Sequence, residues 1–253
     1  MEVNVLASGS TGNCYLIYDG MTALLLDAGI PFKKIQIGCY YNLSKVSGCL
    51  VTHCHGDHSK AVKDLVKRCV DVWMSGKEMA ELGLQPDRRL HCLARVGEDD
   101  YAVFNIGTFK VLPFRTEHDT PEPVGFLVSS TRTGEKLLYV TDSYFVRYRF
   151  VGLTHIIGEC NYDEETVWEK INAGETPTVR AKRLFRSHMS LENFLKFLKA
   201  NDLSRLRQIY ICHMSNDHSN ETRIVEAVQR ATGAEVYVCK EGGGVSDVPP
   251  DAN

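Results

Sequence analysis

THCHGDH, residues 52–58, decides the fold. It follows the apolar run 48–51, which reads as a short strand, and it places His53, His55, Asp57 and His58 within six residues. Only nine histidines are spread over 253 residues, so a His-x-His-x-Asp-His cluster this dense is not scatter. A strand holds one end of the loop rigid, and closely spaced donors at its end converge on one point. Imidazole suits zinc, iron, manganese or nickel, and an added carboxylate favours a hydrolytic over a thiolate structural site. The alternating positions cannot all reach one tetrahedral ion, so two ions are the economical reading. The missing donors are expected at other strand ends. Three isolated residues close apolar runs in that way: His118 in FRTEHD, Asp142 in LLYVTD and His213 in IYICHMS.

Outward from this motif, short strand-like runs alternate with helical ones. Val3, Val5 and Ala7 alternate, SGSTGN supplies a turn, and 14–18 and 22–26 read as the next two strands of a meander. Val62, Leu65, Val66 and Cys69 fall at i, i+3, i+4 and i+7, one buried helix face. Further strands are expected at 71–74, 101–104, 108–114, 124–129, 136–141, 155–158, 208–212 and 235–239. Ser190 is the expected N-cap of a helix carrying Leu191, Phe194, Leu195 and Leu198, and Asn220 of one carrying Ile224, Val225 and Val228. This order implies an α/β chain with two facing sheets and helices outside, one domain over 1–241, followed by a flexible tail at 242–253. A Rossmann fold would need a GxGxxG turn entering a helix, whereas SGSTGN enters a strand.

Composition narrows the function class. Hydrophobic residues make up 43% and charged residues 24%, as in a globular protein, which argues against disorder and coiled coil. The net charge of -3 rules out a globally basic nucleic-acid coat while leaving room for a local basic groove. No apolar run approaches the ~18 residues of a membrane helix, and MEVNVLASGS lacks a signal-peptide profile, so no membrane association and a cytoplasmic location are expected. Nine scattered cysteines without CxxC pairs read as reduced, buried thiols, and Cys54 is expected to point away from the donors on either side of it. His91, His155 and His218 read as structural or solvated.

SGSTGNCYLI at the start, LLLDAG at 24–29, THCHGDH at 52–58, the His118 motif, VTD at 140–142, ECNYD at 159–163, SHMS at 187–190 and CHMS at 212–215 occur together and in order. In this the chain resembles the metallo-β-lactamase fold superfamily over nearly its whole length. Within it, the chain looks most like the YycJ/WalJ-type group of small exonuclease-like proteins, related to tRNase Z. The resemblance implies a four-layer αββα sandwich and two divalent metal ions, zinc or manganese first, with iron or nickel as alternatives. It implies that His53, His55 and His118 hold one ion, that Asp57, His58 and His213 hold the other, and that Asp142 bridges them. A hydroxide between the ions would be the nucleophile, with Asp57 orienting it. His188 is assigned to substrate phosphate contact or leaving-group protonation, since a comparable histidine follows the bridging aspartate in tRNase Z-like enzymes. Ser190 beside it would reinforce an anion site, and Glu159 would buttress His188.

Two stretches bear on substrate. Tyr144, Phe145, Arg147, Tyr148, Arg149 and Phe150 interleave aromatics with arginines that could stack bases and grip phosphates. Between Pro177 and Leu206, seven basic residues, Arg186 among them, face two acids for a local net charge of +5. The expected function is a metal-dependent phosphodiesterase acting on nucleic acid, with DNA favoured and an exonuclease as the specific form. The 70 residues between Asp142 and His213 are too few for the inserted domain of larger nuclease relatives. The 23 between His118 and Asp142 leave no room for a protruding tRNA-binding arm. Two alternatives stand beside it: a hydrolase of a small thioester, lactone or cyclic phosphodiester on the same scaffold, and a non-catalytic metal-stabilised binding module.

Overall fold

The first 92 residues build a six-stranded sheet whose neighbours follow chain order: β1 (Glu2–Ala7), β2 (Cys14–Tyr18), β3 (Ala23–Leu26), β4 (Val46–Leu50), β5 (Val72–Met74) and β6 (Leu90–Cys92). The first three strands pair antiparallel, as tight turns allow, and β3 to β6 pair parallel. The parallel pairs need crossovers. Helices α1 (Phe32–Gly38), α2 (Gly56–Ser59), α3 (Val62–Lys67) and α4 (Gly76–Glu81) lie in them. The computed structural model describes residues 1–247 except Asp99 and Glu241.

A second sheet of eight strands runs β14-β13-β12-β11-β10-β9-β8-β7. Its members are β7 (Phe104–Ile106), β8 (Phe109–Arg115), β9 (Val124–Ser130), β10 (Lys136–Val140), β11 (His155–Glu159), β12 (Gln208–Cys212), β13 (Glu235–Cys239) and β14 (Val245–Asp247). Helices α5 (Glu164–Asn172), α6 (Thr178–Ser187), α7 (Leu191–Lys199) and α8 (Glu221–Thr232) belong to this half. Strand alternation sorts side chains into layers. Tyr15, Ile17, Leu24 and Leu26 meet Phe109, Phe126, Tyr139 and Ile157 between the sheets. Leu25, Cys49 and Val51 face Ile35, Val62 and Leu65 on one outer side. Leu138, Ile156, Ile209 and Ile211 face Phe194, Leu198, Ile224 and Val225 on the other. The result is a single αββα domain.

Ser190 and Asn220 cap α7 and α8, accepting the amides of Asn193 and Arg223. Elsewhere the structure departs from expectation. The strand expected at 101–104 lies at 104–106, because Gly107, at φ +54°, closes the hairpin between β7 and β8. Elements that were not expected include the helices α1, α2, α4 and α5, the three-residue parallel edge strand β6, and α6, which packs Ala181, Leu184 and Phe185 into the small cluster with Tyr162 and Val167. A strand forms within the expected tail. Gly243 and Gly244 adopt φ +89° and +82°, which lets the chain reverse and add β14 antiparallel to β13. Residues 248–253 of the expected tail lie outside the described residues. Cys69 and Cys92 are exposed rather than core residues, whereas Cys14, Cys39, Cys49, Cys160, Cys212 and Cys239 are buried free thiols.

His155, at the start of β11, is buried beside the N-terminal ammonium. Burial first and that charge second push its pKa down to about 4. An unfolded histidine takes a proton near pH ~6.5, so between there and about pH 4 the unfolded chain binds a proton that the native chain refuses. Stability therefore falls as pH drops through this window. His155→Gln is expected to flatten that dependence, measured as the difference between urea midpoints at pH 7 and pH 5. An unchanged slope would count against the assignment.

Candidate metal centre

Each expected donor stands where a strand stops. β10, β11 and β12 run parallel, so their C-terminal ends share one edge, the place where parallel sheets bind ligands. Asp142 follows β10, Glu159 ends β11 and His213 follows β12. His53, His55, Asp57 and His58 come from the turn after β4 and from α2 in the facing sheet, and His118 from the loop after β8. Asp142 and His213 sit at φ +48° and +50°, a left-handed conformation that costs a non-glycine residue roughly 1–3 kcal/mol. The sharp turn aims both side chains back over the sheet edge.

The structure brings the seven expected donors together. The rings of His53, His55 and His118 form a near-equilateral triangle, with centroids 4.8–5.0 Å apart. Asp57 Oδ2 lies 3.3 Å from His213 Nε2 and 3.5 Å from His58 Nε2. Asp142 Oδ2 is 2.7 Å from His58 Nε2 and its Oδ1 is 3.7 Å from His213 Nε2. Donor atoms within 4.8 Å of one another form four overlapping groups: His53/His55/His118, Asp57/His58/His213, His53/His58/Asp142 and Asp142/Glu159/His188/His213.

The electrostatics suit a cation. Burial first, then the neighbouring His58, pushes His53 well below its ordinary pKa, so the ring is neutral. Its Nε2 is buried with no hydrogen-bond partner among the described residues. A buried lone pair with nothing to accept is costly unless a cation takes it. Burial works against charge on Asp57 and Asp142, but their histidine neighbours outweigh it and hold both carboxyls far below the usual range. His188 Nδ1 lies 2.6 Å from Glu159 Oε1 and 3.2 Å from Asp142 Oδ1. Burial opposes its charge as well, yet those carboxylates push the pKa up to about 11.

Several supporting residues carried no role in the sequence reading. Asp27, within LLLDAG, is fully buried: Oδ2 stands 2.6 Å from His58 Nδ1, and its oxygens also accept from the Thr52 amide and hydroxyl and from the Tyr139 hydroxyl. It fixes the His58 ring and leaves Nε2 facing the site. Asp119 Oδ1 lies 3.2 Å from His118 Nε2, and the HD pair in FRTEHD was the available signal. The Asn13 side chain in SGSTGN ties Gly9, Tyr15 and His58 together.

The expected substrate contacts divide. Arg147 is exposed and ion-paired with Glu117, while Arg149 and Arg186 are exposed at the surface. Ser190 departs from expectation: its hydroxyl accepts the Asn193 amide as the cap of α7, and the residue is fully buried, which keeps its O–H away from an anion in the cavity. The backbone amide of Cys54 donates to Glu78, and that carboxylate, with burial acting first, pushes the thiol up to about 12, which leaves it a poor ligand. His91 stacks on Trp73 and pairs with Asp71, and His218 contacts Thr176 and Ser215. A polar cavity of about 450 Å³ opens beside the donors, lined by Ser10, Asn161, Ser187, His188, His213 and Asn216 among others.

Residues 7–149, more than half of the chain, match the family described as the metallo-beta-lactamase superfamily. The chain belongs to that superfamily. It is 26% identical over 238 residues to a protein of Bacillus anthracis named exodeoxyribonuclease YycJ, covering 87% of this chain and 84% of that one. It is 24% identical over 234 residues to exodeoxyribonuclease WalJ of Streptococcus pneumoniae, covering 86% and 83%. Among solved structures it is similar to the metallo-beta-lactamase fold protein YhfI of Bacillus subtilis, with a TM-score of 0.70, 16% identity and coverage of 96% and 98%. Membership makes this chain a metal-dependent hydrolase and implies divalent metal ions, which the histidine and aspartate groups described above could hold.

One backbone contact underlies the superfamily site in this chain. The carbonyl of Asp57 packs onto Gly29, where a Cβ would sit 1.6 Å from its oxygen. Both residues also anchor the first turn, since the Asn13 amide donates to the Asp57 carbonyl and the Gly29 amide to that of Asn13. Gly29→Ala must therefore displace the segment carrying Asp57 and His58. The expected result is poor folding, or soluble protein that binds less metal per chain, measured by elemental analysis; wild-type metal content would refute the argument.

Proposed function

We propose that this hydrolase is a two-metal phosphodiesterase acting on nucleic acid, and specifically a DNA exonuclease. The observation that carries the reading is the convergence of two three-residue donor groups on either side of Asp142, in a chain similar along most of its length to proteins named exodeoxyribonucleases. His53, His55 and His118 hold one ion, Asp57, His58 and His213 the other, and Asp142 bridges. Divalent ions held in this way supply Lewis acidity to a phosphoryl oxygen and lower the pKa of water.

The chain's own groups do the rest. Glu159 and Asp142 engage His188 Nδ1, which leaves Nε2 for the substrate. Held protonated by those carboxylates, His188 binds a phosphate oxygen or delivers a proton to the departing sugar oxygen. Arg186, Arg147 and Arg149 lie at the exposed surface, where strand phosphates can meet them. No helix among the described residues is long and apolar enough to cross a membrane.

The test is a panel with added Mn²⁺ or Zn²⁺: end-labelled single- and double-stranded DNA, RNA of the same sequence, bis-p-nitrophenyl phosphate, a thioester and a lactone. The expected result is stepwise shortening of DNA from one end, faster than any other turnover. The 450 Å³ cavity beside His188 is also of a size for a small molecule, which favours one second reading, hydrolysis of a small ester. Turnover of the thioester or lactone with intact oligonucleotides would establish it.

A further inference from the structure

Ser75-Gly76-Lys77-Glu78 is a capping-box sequence at the start of α4. In such a box the glutamate ordinarily reaches back to the amide of the cap residue. Here the serine does its part, accepting the Glu78 amide, but the glutamate carboxylate is turned elsewhere. Its Oε2 accepts the amide of Cys54 at 2.8 Å, and its Oε1 accepts the amide of Glu122 at 2.6 Å. The Ser75 hydroxyl adds a bond to the Glu122 carbonyl at 3.0 Å. Glu78 is fully buried, 44 residues from Glu122 and 24 from Cys54.

The two amides belong to the two segments that must meet. Cys54 lies between His53 and His55, and Glu122 lies in the eight-residue loop 116–123 that carries His118 between β8 and β9. Glu122 is itself buried and anchored by Arg95. A buried carboxylate spanning two amides ties the segments through charge-assisted bonds, and neither segment reaches its position by local sequence alone. We propose that Glu78 is the positioning residue for the His53/His55/His118 triangle: a buried clamp, outside the ligand set, that fixes the distance between the two loops and so the affinity of that group for its ion. This rests on the two-metal reading above.

The experiment compares wild-type chain, Glu78→Gln and Asn220→Ala by cobalt titration followed in visible absorption, with zinc per chain as a second readout. In Glu78→Gln one oxygen becomes an NH₂ group facing an N–H donor, so one bond of the clamp is lost while the shape is kept. The expected result is a ~10–100-fold weaker affinity for one ion and an unchanged affinity for the other. Turnover should fall at limiting metal and recover at excess, with KM unchanged. Asn220→Ala removes a helix cap elsewhere and should keep both affinities. A merely structural Glu78 would behave like Asn220, with a lower melting temperature and both ions bound as in the wild type, and that result overturns the proposal. If the Gln variant does not fold, Glu78→Asp, which keeps the charge but is too short to span both amides, decides by the same titration. A wild-type chain that binds fewer than two ions would overturn the parent reading instead.

Discussion

Asp142→Ala is expected to lower turnover of end-labelled DNA by at least ~10³-fold, with the fold intact by circular dichroism. Stabilising charge at a reacting phosphoryl group through bound ions supplies several kcal/mol, and each ~1.4 kcal/mol is tenfold in rate. Asp142 stands where both donor groups meet: one oxygen faces His58 and the other His188 and His213, and it shares a group of close donor atoms with His53. Removing it leaves those histidines without their common partner and separates the two groups. Asp142→Asn, of the same shape, tests whether charge rather than volume matters and should lose activity almost as fully. Either variant working at the wild-type rate in saturating Mn²⁺ would remove Asp142 from the mechanism.

Chelation is expected to have the next largest effect. Dialysis against EDTA should reduce hydrolysis to background, and Mn²⁺ or Zn²⁺ should restore it. It should also lower stability, because an ion present at a hundred times its dissociation constant contributes about 2.7 kcal/mol to the folded state. For a chain of this size that corresponds to a fall of roughly 5–10 °C in Tm per ion, read by calorimetry. Without a cation the carboxylates draw protons onto the imidazoles of two proposed ligands: His58 and His213 are both raised above the ordinary histidine value, the carboxylates outweighing the opposing effect of burial. Those protons must leave on ligation, so metal affinity should rise with pH, with proton release measurable in two buffers of different ionisation enthalpy. Unchanged Tm and unchanged activity after chelation would contradict the metal-centre reading.

The donor set was legible in the chain because its signal is local. Donors at the ends of apolar runs need only the strand to stop and the side chain to be His or Asp, and the order of the strands then brings them to one edge. The layers were legible only as two facing sheets with helices outside: runs such as 137–140 and 209–212 are apolar at every position, and the strand geometry alone sorts their side chains between the inner and outer faces. Ser190 marks the limit of such reading. The motif that identifies a helix cap says nothing of the hydroxyl's free hydrogen, and only burial shows that it is out of a ligand's reach.

The sequence by itself determined the family, the two-sheet arrangement and which residue types could gather around a cation. Tertiary structure decided what holds them: that Asp27 fixes His58 from 31 residues away, that Tyr139 reaches Asp27 across 112, and that Glu78 spans two loops instead of closing its own helix. The physical reason is that a buried carboxylate takes whichever donors the packing puts within reach. Which donors those are depends on how two sheets and their loops meet, and no window of neighbouring residues records that meeting.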